Sequence, residues 1–278
     1  MRFLALVLWD AYTKFNRDDG WAISSHIALS ALLSLFPFLI FVAAVAGFFG
    51  TPEAADRAAA FLFEMWPKPM AAPIAAEIHN VLLQPRGGLL TFGVVLALYF
   101  SGNAVEALRI GLARAYDVTE TRPWWARRIE VLLYVLLAAV SLLVITVLLV
   151  LAPPVFAYLE RAAPPLANEF ELAYQTVRFG ASFLAMAASL LVAHKFLAPG
   201  ERSLLDIAPG VLTTLLGWLG YGSAFGAFLS QFAKGYVSTY AGLASIMISL
   251  VFLYWLGALM IFGAELNQAL LRARSRRS

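Results

Sequence analysis

Ionisable and amide side chains at the ends of long apolar runs are the residues of this chain that could do chemistry. Glu106 and Arg109 stand three positions apart, so they can pair along one face of a helix. Glu265 and Asn267 close the last apolar run. Charges in hydrocarbon are costly and usually face a bundle interior or water. These residues therefore predict a polar path for ions or substrate, although a structural ion pair would use the same Glu106 and Arg109.

The predicted path has an inner and an outer part. Glu106, Arg109 and Glu265 are assigned to the inner side, and Arg178 is assigned to an anion at the outer side. Two alternatives stay open: Arg178 can reach water by extending along the surface, and Glu265 can be solvated at the inner boundary. The full set of substrate or ion pathway candidates is His26, Asn103, Glu106, Arg109, Arg178, Asp206, Glu265 and Asn267.

Two of these candidates also fit plain structural roles. His26, Ser30 and Ser34 repeat every fourth residue, so they share a helix face that either lines a path or forms hydrogen bonds within and between helices. Asp206 stands where a helix begins, and the helix dipole favours an acid there.

Hydrolytic and metal chemistry finds no support in the sequence. The three histidines, His26, His79 and His194, are far apart, and the chain has no cysteine. No metalloprotease helix motif, phosphate-binding loop or nucleophile elbow is present. The sequence therefore predicts no enzyme, no metal and no cofactor.

The elements that must position these side chains are membrane helices. The chain is 62% hydrophobic and only 13% charged. A helix that crosses ~30 Å of hydrocarbon needs roughly 20 apolar residues. The sequence therefore predicts an all-α polytopic bundle that forms one transmembrane domain, residues 1–278. About six runs reach that length: residues 21–49, 89–110, 131–151, 176–196, 207–229 and 243–264.

Other segments are predicted to lie outside the bundle or at its surface. Residues 1–20 are predicted to form a cytoplasmic amphipathic segment, in which a helix over residues 3–15 either lies on the membrane or packs on the bundle. Residues 51–88 are predicted to form a periplasmic loop with short helices, residues 235–242 a tight polar link, and residues 265–278 a cytoplasmic basic tail. Helix bending or close helix packing is expected at Pro37, Gly217, Gly222 and Gly226.

Most of the 20 lysines and arginines fall on the side of the bundle that holds both termini. Cytoplasmic ends carry such an excess, so both termini are predicted to be cytoplasmic. The same basic residues explain attraction to membrane lipids without any nucleic-acid partner. Anionic headgroups are expected at Arg122, Arg127, Arg128, Arg272 and Arg274. The oligomeric state is left open by the sequence.

Several short motifs are distributed over nearly the whole chain. The most specific are Tyr240-Ala241-Gly242-Leu243, Tyr254-Trp255 and Gly263-Ala264-Glu265-Leu266-Asn267. Others are Asp19-Gly20, Phe36-Pro37, Gly102-Asn103, Arg122-Pro123-Trp124-Trp125 and Asp206 with Pro209-Gly210. Together these motifs resemble the YihY/BrkB family of bacterial inner-membrane proteins, once mislabelled as ribonuclease BN.

The resemblance implies six transmembrane helices in the bacterial inner membrane and a role in the cell envelope. The polar groups within the apolar runs, together with the kinked helices, predict a transporter or flippase-like protein for an anionic, lipid-related substrate. A scaffold for envelope assembly that transports nothing and a proton-coupled ion antiporter are the alternatives. The nuclease label finds no support in the residues quoted.

Overall fold

The structure is a computed structural model that describes residues 2–49, 87–140, 176, 180, 183–240 and 243–275. These residues form helices and connecting turns, without a strand among them. The predicted all-α fold class is therefore confirmed. Arg178 and the predicted loop up to residue 86 lie outside the described residues.

Seven helices, numbered in chain order, carry the described part of the chain. Helix α1 is Arg2–Arg17, α2 is Gly20–Phe49 and α3 is Gly87–Ala115. Residues 124–140 and 183–192 form α4 and α5, and a π-helical turn, Ala193–Leu197, ends α5. Helix α6 is Leu204–Tyr240 and α7 is Leu243–Ser275.

Three stretches among the described residues are long and apolar enough to cross a membrane: Val95–Ala115, Leu204–Gln231 and Ile246–Ser275. Gly20–Leu35 and Phe183–Leu197 are shorter apolar helices. The link predicted from residue 235 is wrong up to Tyr240, because α6 continues to that residue. Residues 231–240 contain one glycine and no proline, so nothing there ends the helix. Helix α2 likewise continues through Pro37.

The chain divides into two compact units, which are described one at a time. The first unit comprises Met1–Leu33, Asn103–Arg127 and Met186–Ser278, and the second comprises Ser34–Gly102 and Arg128–Ala185. All the charged and polar clusters of the candidate site lie in the first unit.

Helix α1 packs along the last turns of α7 in the first unit. Val7 and Ala11 are buried one turn apart and contact Leu266 and Ala269 of α7. Apolar residues four positions apart share a helix face, so this stripe explains why α1 docks. The opposite face is exposed, with 68% of Trp9 accessible. Of the two alternatives for α1, packing on the bundle is confirmed, and contact with the membrane surface stays a prediction.

Helices α6 and α7 are joined by a close crossing near the N-terminal end of α6. A Cβ atom on Gly210 would lie 2.0 Å from the carbonyl oxygen of Gly263, and one on Gly263 would lie 2.2 Å from Thr214 Oγ1. Only glycine at both positions lets the two backbones approach this closely. A Cβ on Gly217 would meet Leu259 at 3.0 Å. In the described part of the chain, no atom lies within 4 Å of a Cβ built on Gly222 or Gly226.

Hydrogen bonds from polar side chains also join α6 to α7. Thr214 Oγ1 donates to the carbonyl of Leu259 at 3.3 Å, and Trp218 Nε1 donates to that of Leu256 at 3.0 Å. Since backbone carbonyls inside a helix have a second lone pair, these bonds tie the two helices without breaking either one.

In the second unit, the side chains of Ser34 and Arg128 donate hydrogen bonds to backbone carbonyls. Ser34 is buried and its hydroxyl donates to the carbonyl of Phe100 at 3.1 Å, which is the interhelical hydrogen bonding expected as one alternative. Arg128 donates to the carbonyl of Tyr99 and stacks over its ring, with Cζ 3.7 Å from the centroid.

Candidate functional site

The buried arginine at the end of α3 is held by two carboxylates. Arg109 donates to both oxygens of Glu106, at 2.7 and 3.0 Å, which is the pairing along one helix face that their spacing predicts. It also donates to Glu120 Oε2 at 2.5 Å. Arg109 is only 4% exposed, so most of its charge is compensated inside the protein.

Glu120 lies outside the helices, because residues 118–121 form no regular structure. Its carboxylate accepts from Arg109 and from Arg122 Nε at 2.8 Å. The hydrogen bonds from Arg122 lower the pKa of Glu120 to about 2, against the opposing effect of burial, and the charge of Arg109 adds to the decrease. Glu120 is therefore a carboxylate at neutral pH.

A second charged cluster surrounds Lys14 of α1. Its ammonium nitrogen lies 3.1 Å from Asp117 Oδ1 and 3.1 Å from Glu265 Oε2, and it forms an ion pair with Asp18. It also lies 3.3 Å from the carbonyl oxygen of Ala115. Burial alone would lower the pKa of Lys14, but the hydrogen bond to Asp18 and the charge of Glu265 outweigh it and raise that pKa. We call Lys14, Asp18, Asp117 and Glu265 the lysine cluster.

The lysine cluster forms where the C-terminal ends of α1 and α3 meet. Two residues after the last residue of each helix, the chain has an aspartate in the left-handed region. These are Asp19 and Asp117, both with a φ of 56°. At the end of α3, Val118 N donates to the carbonyl of Ala113 and Asp117 N to that of Arg114, both at 3.0 Å. This is the Schellman pattern, in which glycine is the usual left-handed residue. An aspartate there is strained, but its carboxylate can bind Lys14.

The two helix ends are neutralised reciprocally. Lys14 of α1 donates to the carbonyls that end α3, while Arg114 of α3 donates to the carbonyl of Asp18 at 3.3 Å and lies 3.7 Å from Asp19. Helix C-termini carry a partial negative charge, so their convergence needs cations from both sides. The arrangement fixes α1 on α3 and places Lys14 next to α7.

Glu265 is the most deeply buried member of the lysine cluster, with an exposed fraction of 0%. Neither of its oxygens accepts a geometrically sound hydrogen bond within the described part of the chain, although Oε2 lies at ion-pair distance from Lys14. A buried carboxylate oxygen without a donor is costly. Oε1 of Glu265 is thus an acceptor that the described residues leave open.

A third cluster is a chain of hydrogen bonds between buried residues. Gly210 N donates to Asn267 Oδ1 at 2.6 Å, and Asn267 Nδ2 donates to the hydroxyl oxygen of Tyr116 at 3.0 Å. That hydroxyl lies 2.8 Å from His194 Nδ1. Because the phenol oxygen already accepts from Asn267, its own proton can go to Nδ1, which leaves the imidazole proton on Nε2. Nε2 is buried and has no partner among the described residues.

The π-helical turn that carries His194 is closed by Arg202. Its guanidinium donates to the carbonyls of Ala198, at 2.5 Å, and Pro199, at 3.0 Å, and to that of His194 at 3.3 Å. Its Cζ lies 4.2 Å from the centre of the Tyr116 ring. Arg202 thus satisfies carbonyls that the helix end leaves without partners. This bonding holds His194 against Tyr116.

The remaining predicted pathway residues lie elsewhere. His26 and Asn103 are exposed in the first unit. Ser203 N donates to Asp206 Oδ2 and Asp206 N donates to Ser203 Oγ, both at 3.3 Å, which is the reciprocal cap of a helix start. The helix-start alternative for Asp206 is therefore confirmed. The roles of the eight candidates in a pathway stay predictions.

Most arginines expected at lipid headgroups have partners within the protein. Arg122 binds Glu120, and Arg128 binds Tyr99. Arg272 lies 3.7 Å from Asp10, and Arg274 lies 3.2 Å from Asp206. The side chain of Arg127 has no such partner in the part of the chain that the structure describes. These pairs do not test lipid contact, which stays a prediction.

Sequence reasoning missed Lys14, Asp18, Asp117, Tyr116 and His194 as members of a site. Of these, Asp117 carried the one available signal, since it follows a helix at a position where glycine would be usual. No group of three or more His, Asp or Glu with the geometry of a metal site occurs among the described residues.

Comparisons with known proteins relate the sequence of this chain to a protein family. A sequence profile of a family described as virulence factor BrkB matches residues 11–278. The chain is 29% identical over 277 residues to the ribonuclease-like protein YfkH of Bacillus subtilis (strain 168), which covers 97% of this chain and 96% of that protein. No solved structure matches the chain. The match over nearly its full length shows that this chain, an integral membrane protein with apolar helices, belongs to the virulence factor BrkB family.

Proposed function

We propose that this protein is a transporter or flippase-like protein for an anionic substrate in envelope biogenesis, with anionic phospholipids as the first class to test. The observation that carries the proposal is the binding of the buried Arg109 by two carboxylates. One of them, Glu120, belongs to a segment without regular structure. A substrate phosphate or carboxylate can take its place, because Arg binds all these anions with the same geometry.

The exchange has a simple energetic basis. Arg109 is 4% exposed and needs an anion at all times, since an unpaired buried charge is strongly destabilising. Glu106 stays on the same helix, three residues away, while Glu120 can leave with its loop. Arg122 then retains Glu120 through its own hydrogen bonds. The substrate and Glu120 thus compete for the same guanidinium group.

Reconstituted vesicles test the proposal. Purified protein is inserted into vesicles that contain fluorescent phosphatidylglycerol, and the rate at which the probe leaves the outer leaflet is measured. Arg109→Gln should abolish protein-dependent movement. Glu120→Gln should lower the apparent KM, because it weakens the competitor for Arg109. Arg17→Gln, at an exposed arginine of α1, is the matched control and should leave the rate unchanged.

Unchanged flux in a folded Arg109→Gln variant would remove this arginine from the mechanism. No movement of phosphatidylglycerol by the wild-type protein, together with reproducible cross-linking to one envelope protein in cells, would favour the scaffold alternative. Folding of every variant is checked by its elution as a single species in detergent.

A proton-coupled antiporter is the second candidate, and Glu265 favours it. Its carboxylate is fully buried on a helix long enough to span a membrane, and Oε1 has no hydrogen-bond donor among the described residues. Such carboxylates serve as proton carriers in many transporters. A pH gradient should then drive ion flux in vesicles, and Glu265→Gln should remove the dependence on that gradient.

A further inference from the structure

We propose that the lysine cluster is a binding site for a primary ammonium group, which the side chain of Lys14 occupies in this conformation. The inference is independent of the exchange proposed at Arg109, because its residues do not contact Arg109, and it shares Glu265 with the antiporter candidate. Its ligand class is an amine cation with three N–H donors, borne either by a water-soluble amine or by an aminophospholipid headgroup.

The first support is the number of oxygens around the ammonium nitrogen. Five face Lys14 Nζ: carboxylate oxygens of Asp18, Asp117 and Glu265, and the carbonyls of Arg114 and Ala115 at 3.5 and 3.3 Å. An ion pair in a protein needs one carboxylate, whereas this cluster sets three against one ammonium. The two carbonyls lie at the C-terminal end of α3, where the helix dipole adds partial negative charge.

The second support is the open oxygen of Glu265. Oε1 is fully buried and lacks a donor in the described residues. Lys14 uses its three N–H bonds on a ring of five acceptors, so it cannot satisfy all of them. The site therefore has more acceptor capacity than its present occupant can use, which is expected of a site that also accepts another donor.

Distances distinguish an ammonium site from a metal site. The oxygens of Asp117 and Glu265 lie 3.1 Å from the central nitrogen. Oxygens that bind calcium or magnesium lie at roughly 2.0–2.6 Å, so the cluster would have to contract to hold either ion. The observed distances are those of ion pairs between an ammonium group and carboxylates instead.

The docking of helix α1 does not depend on the side chain of Lys14. Val7, Ala11 and Phe15 are buried on the same side of α1, and the first two contact α7. Removal of the Lys14 side chain should therefore leave α1 docked and the oxygens in position. Lys14→Ala removes three carbon atoms and the ammonium nitrogen. The vacated space therefore has the shape of n-propylammonium.

Chemical rescue tests the inference. The full-length Lys14→Ala variant is purified in detergent, and its Tm is measured as a function of n-propylammonium concentration. The expected result is a saturable rise of roughly 2–5 °C in the variant, and a smaller rise at higher amine concentration in wild-type protein, because there the amine must displace Lys14. Tetramethylammonium, which has the same charge and no N–H donor, should give no such rise.

Two variants serve as controls. Lys195→Ala removes a half-buried lysine that lies over the ring of Phe196, and n-propylammonium should not raise its Tm. Adding Glu265→Gln to Lys14→Ala should weaken the rescue at least tenfold in amine concentration. If Lys14→Ala fails to fold alone, its recovery as a single species only when purified with n-propylammonium gives the same support.

Vesicles separate the two sources of the ammonium group. Lys14→Ala in phosphatidylethanolamine vesicles should melt higher than in phosphatidylcholine vesicles if a lipid headgroup reaches the cluster. Rescue by n-propylammonium without this lipid effect assigns the site to a water-soluble amine. Equal effects of n-propylammonium and tetramethylammonium, or no rescue of a folded variant by either source, would overturn the proposal.

Discussion

The ammonium nitrogen of Lys14, in the first helix, lies 3.1 Å from a carboxylate oxygen of Glu265, in the last helix. The lysine is 5% exposed and the glutamate 0%. This contact joins the two ends of the chain within one compact unit and places a charge pair inside a membrane protein. Variants of these two residues can therefore test how much each depends on the other for charge compensation.

Removal of Lys14 should destabilise the protein more than removal of Glu265. Lys14→Met leaves Asp18, Asp117 and the buried Glu265 without their cation, and we expect a loss of about 3–5 kcal/mol. Glu265→Gln leaves Lys14 with two carboxylates, so we expect about 1 kcal/mol. Thermal or denaturant unfolding in detergent measures both variants.

The double variant gives the coupling between the two residues. Lys14→Met with Glu265→Gln removes the buried charge together with its cation, so it should be more stable than Lys14→Met alone. Additive losses in the double variant would show that Glu265 does not depend on Lys14 for its charge compensation.

The contrast between local and distant contacts explains what the sequence could predict. The Glu106–Arg109 pair and the Ser203–Asp206 cap follow from spacings of three residues, which fix contact once a helix is assumed. The contact of Lys14 with Glu265 depends on how α1 docks on α7. No spacing within either helix contains that information, so both residues could be noted only as charges near apolar runs.

Glycine positions show the same limit. The Gly222 and Gly226 spacing is the usual close-packing motif, yet the crossing of α6 and α7 uses Gly210 and Gly263. A small-residue motif shows where two helices can approach, whereas the partner helix decides where they do. Three of the six predicted runs overlap helices that are long and apolar enough to cross a membrane among the described residues, because hydrocarbon thickness constrains their length directly.

Gly210→Ala should weaken the α6–α7 crossing, and Gly222→Ala should not. The new Cβ at residue 210 would lie 2.0 Å from the carbonyl oxygen of Gly263, so the helices must separate, with an expected loss of at least about 2 kcal/mol. At residue 222 the described residues leave open space, and alanine should stabilise the helix by up to about 1 kcal/mol. Melting of the two variants under the same conditions compares them, and equal losses would contradict the assigned crossing.

Glu120 should make stability depend on pH in the acid range. Its pKa of about 2 is below the ordinary 4.5, so its folded state binds a proton less readily than its unfolded state. The stabilisation is therefore complete above about pH 4.5 and is lost as the pH falls toward 2. We expect Glu120→Gln to be less stable than wild type by about 1–2 kcal/mol at pH 7, since the side chain is partly solvent-screened.

The pH series for this variant has a defined shape. The difference in Tm between wild type and Glu120→Gln should be constant from pH 7 to about 5 and shrink below 4.5, where both side chains become neutral. A difference that stays the same down to pH 3 would show that the charge of Glu120 contributes nothing to stability.

Tyr116→Phe should break the buried hydrogen-bond chain that ends at His194. The hydroxyl lies 2.8 Å from His194 Nδ1 and accepts from Asn267 Nδ2, so its loss leaves His194 Nδ1 without this partner and Asn267 Nδ2 with its bond to the carbonyl of Ile207. We expect a loss of about 1–3 kcal/mol, because an unsatisfied buried group bears its full desolvation penalty. Tyr221→Phe is the matched control: its hydroxyl reaches the carbonyl of Val251 at 3.4 Å in a partly exposed position, so we expect less than about 0.5 kcal/mol. Unfolding in detergent measures both, and nitrogen NMR of labelled histidine should show a changed His194 tautomer only in Tyr116→Phe. The same spectrum in both variants would mean that Tyr116 does not set the proton position on His194.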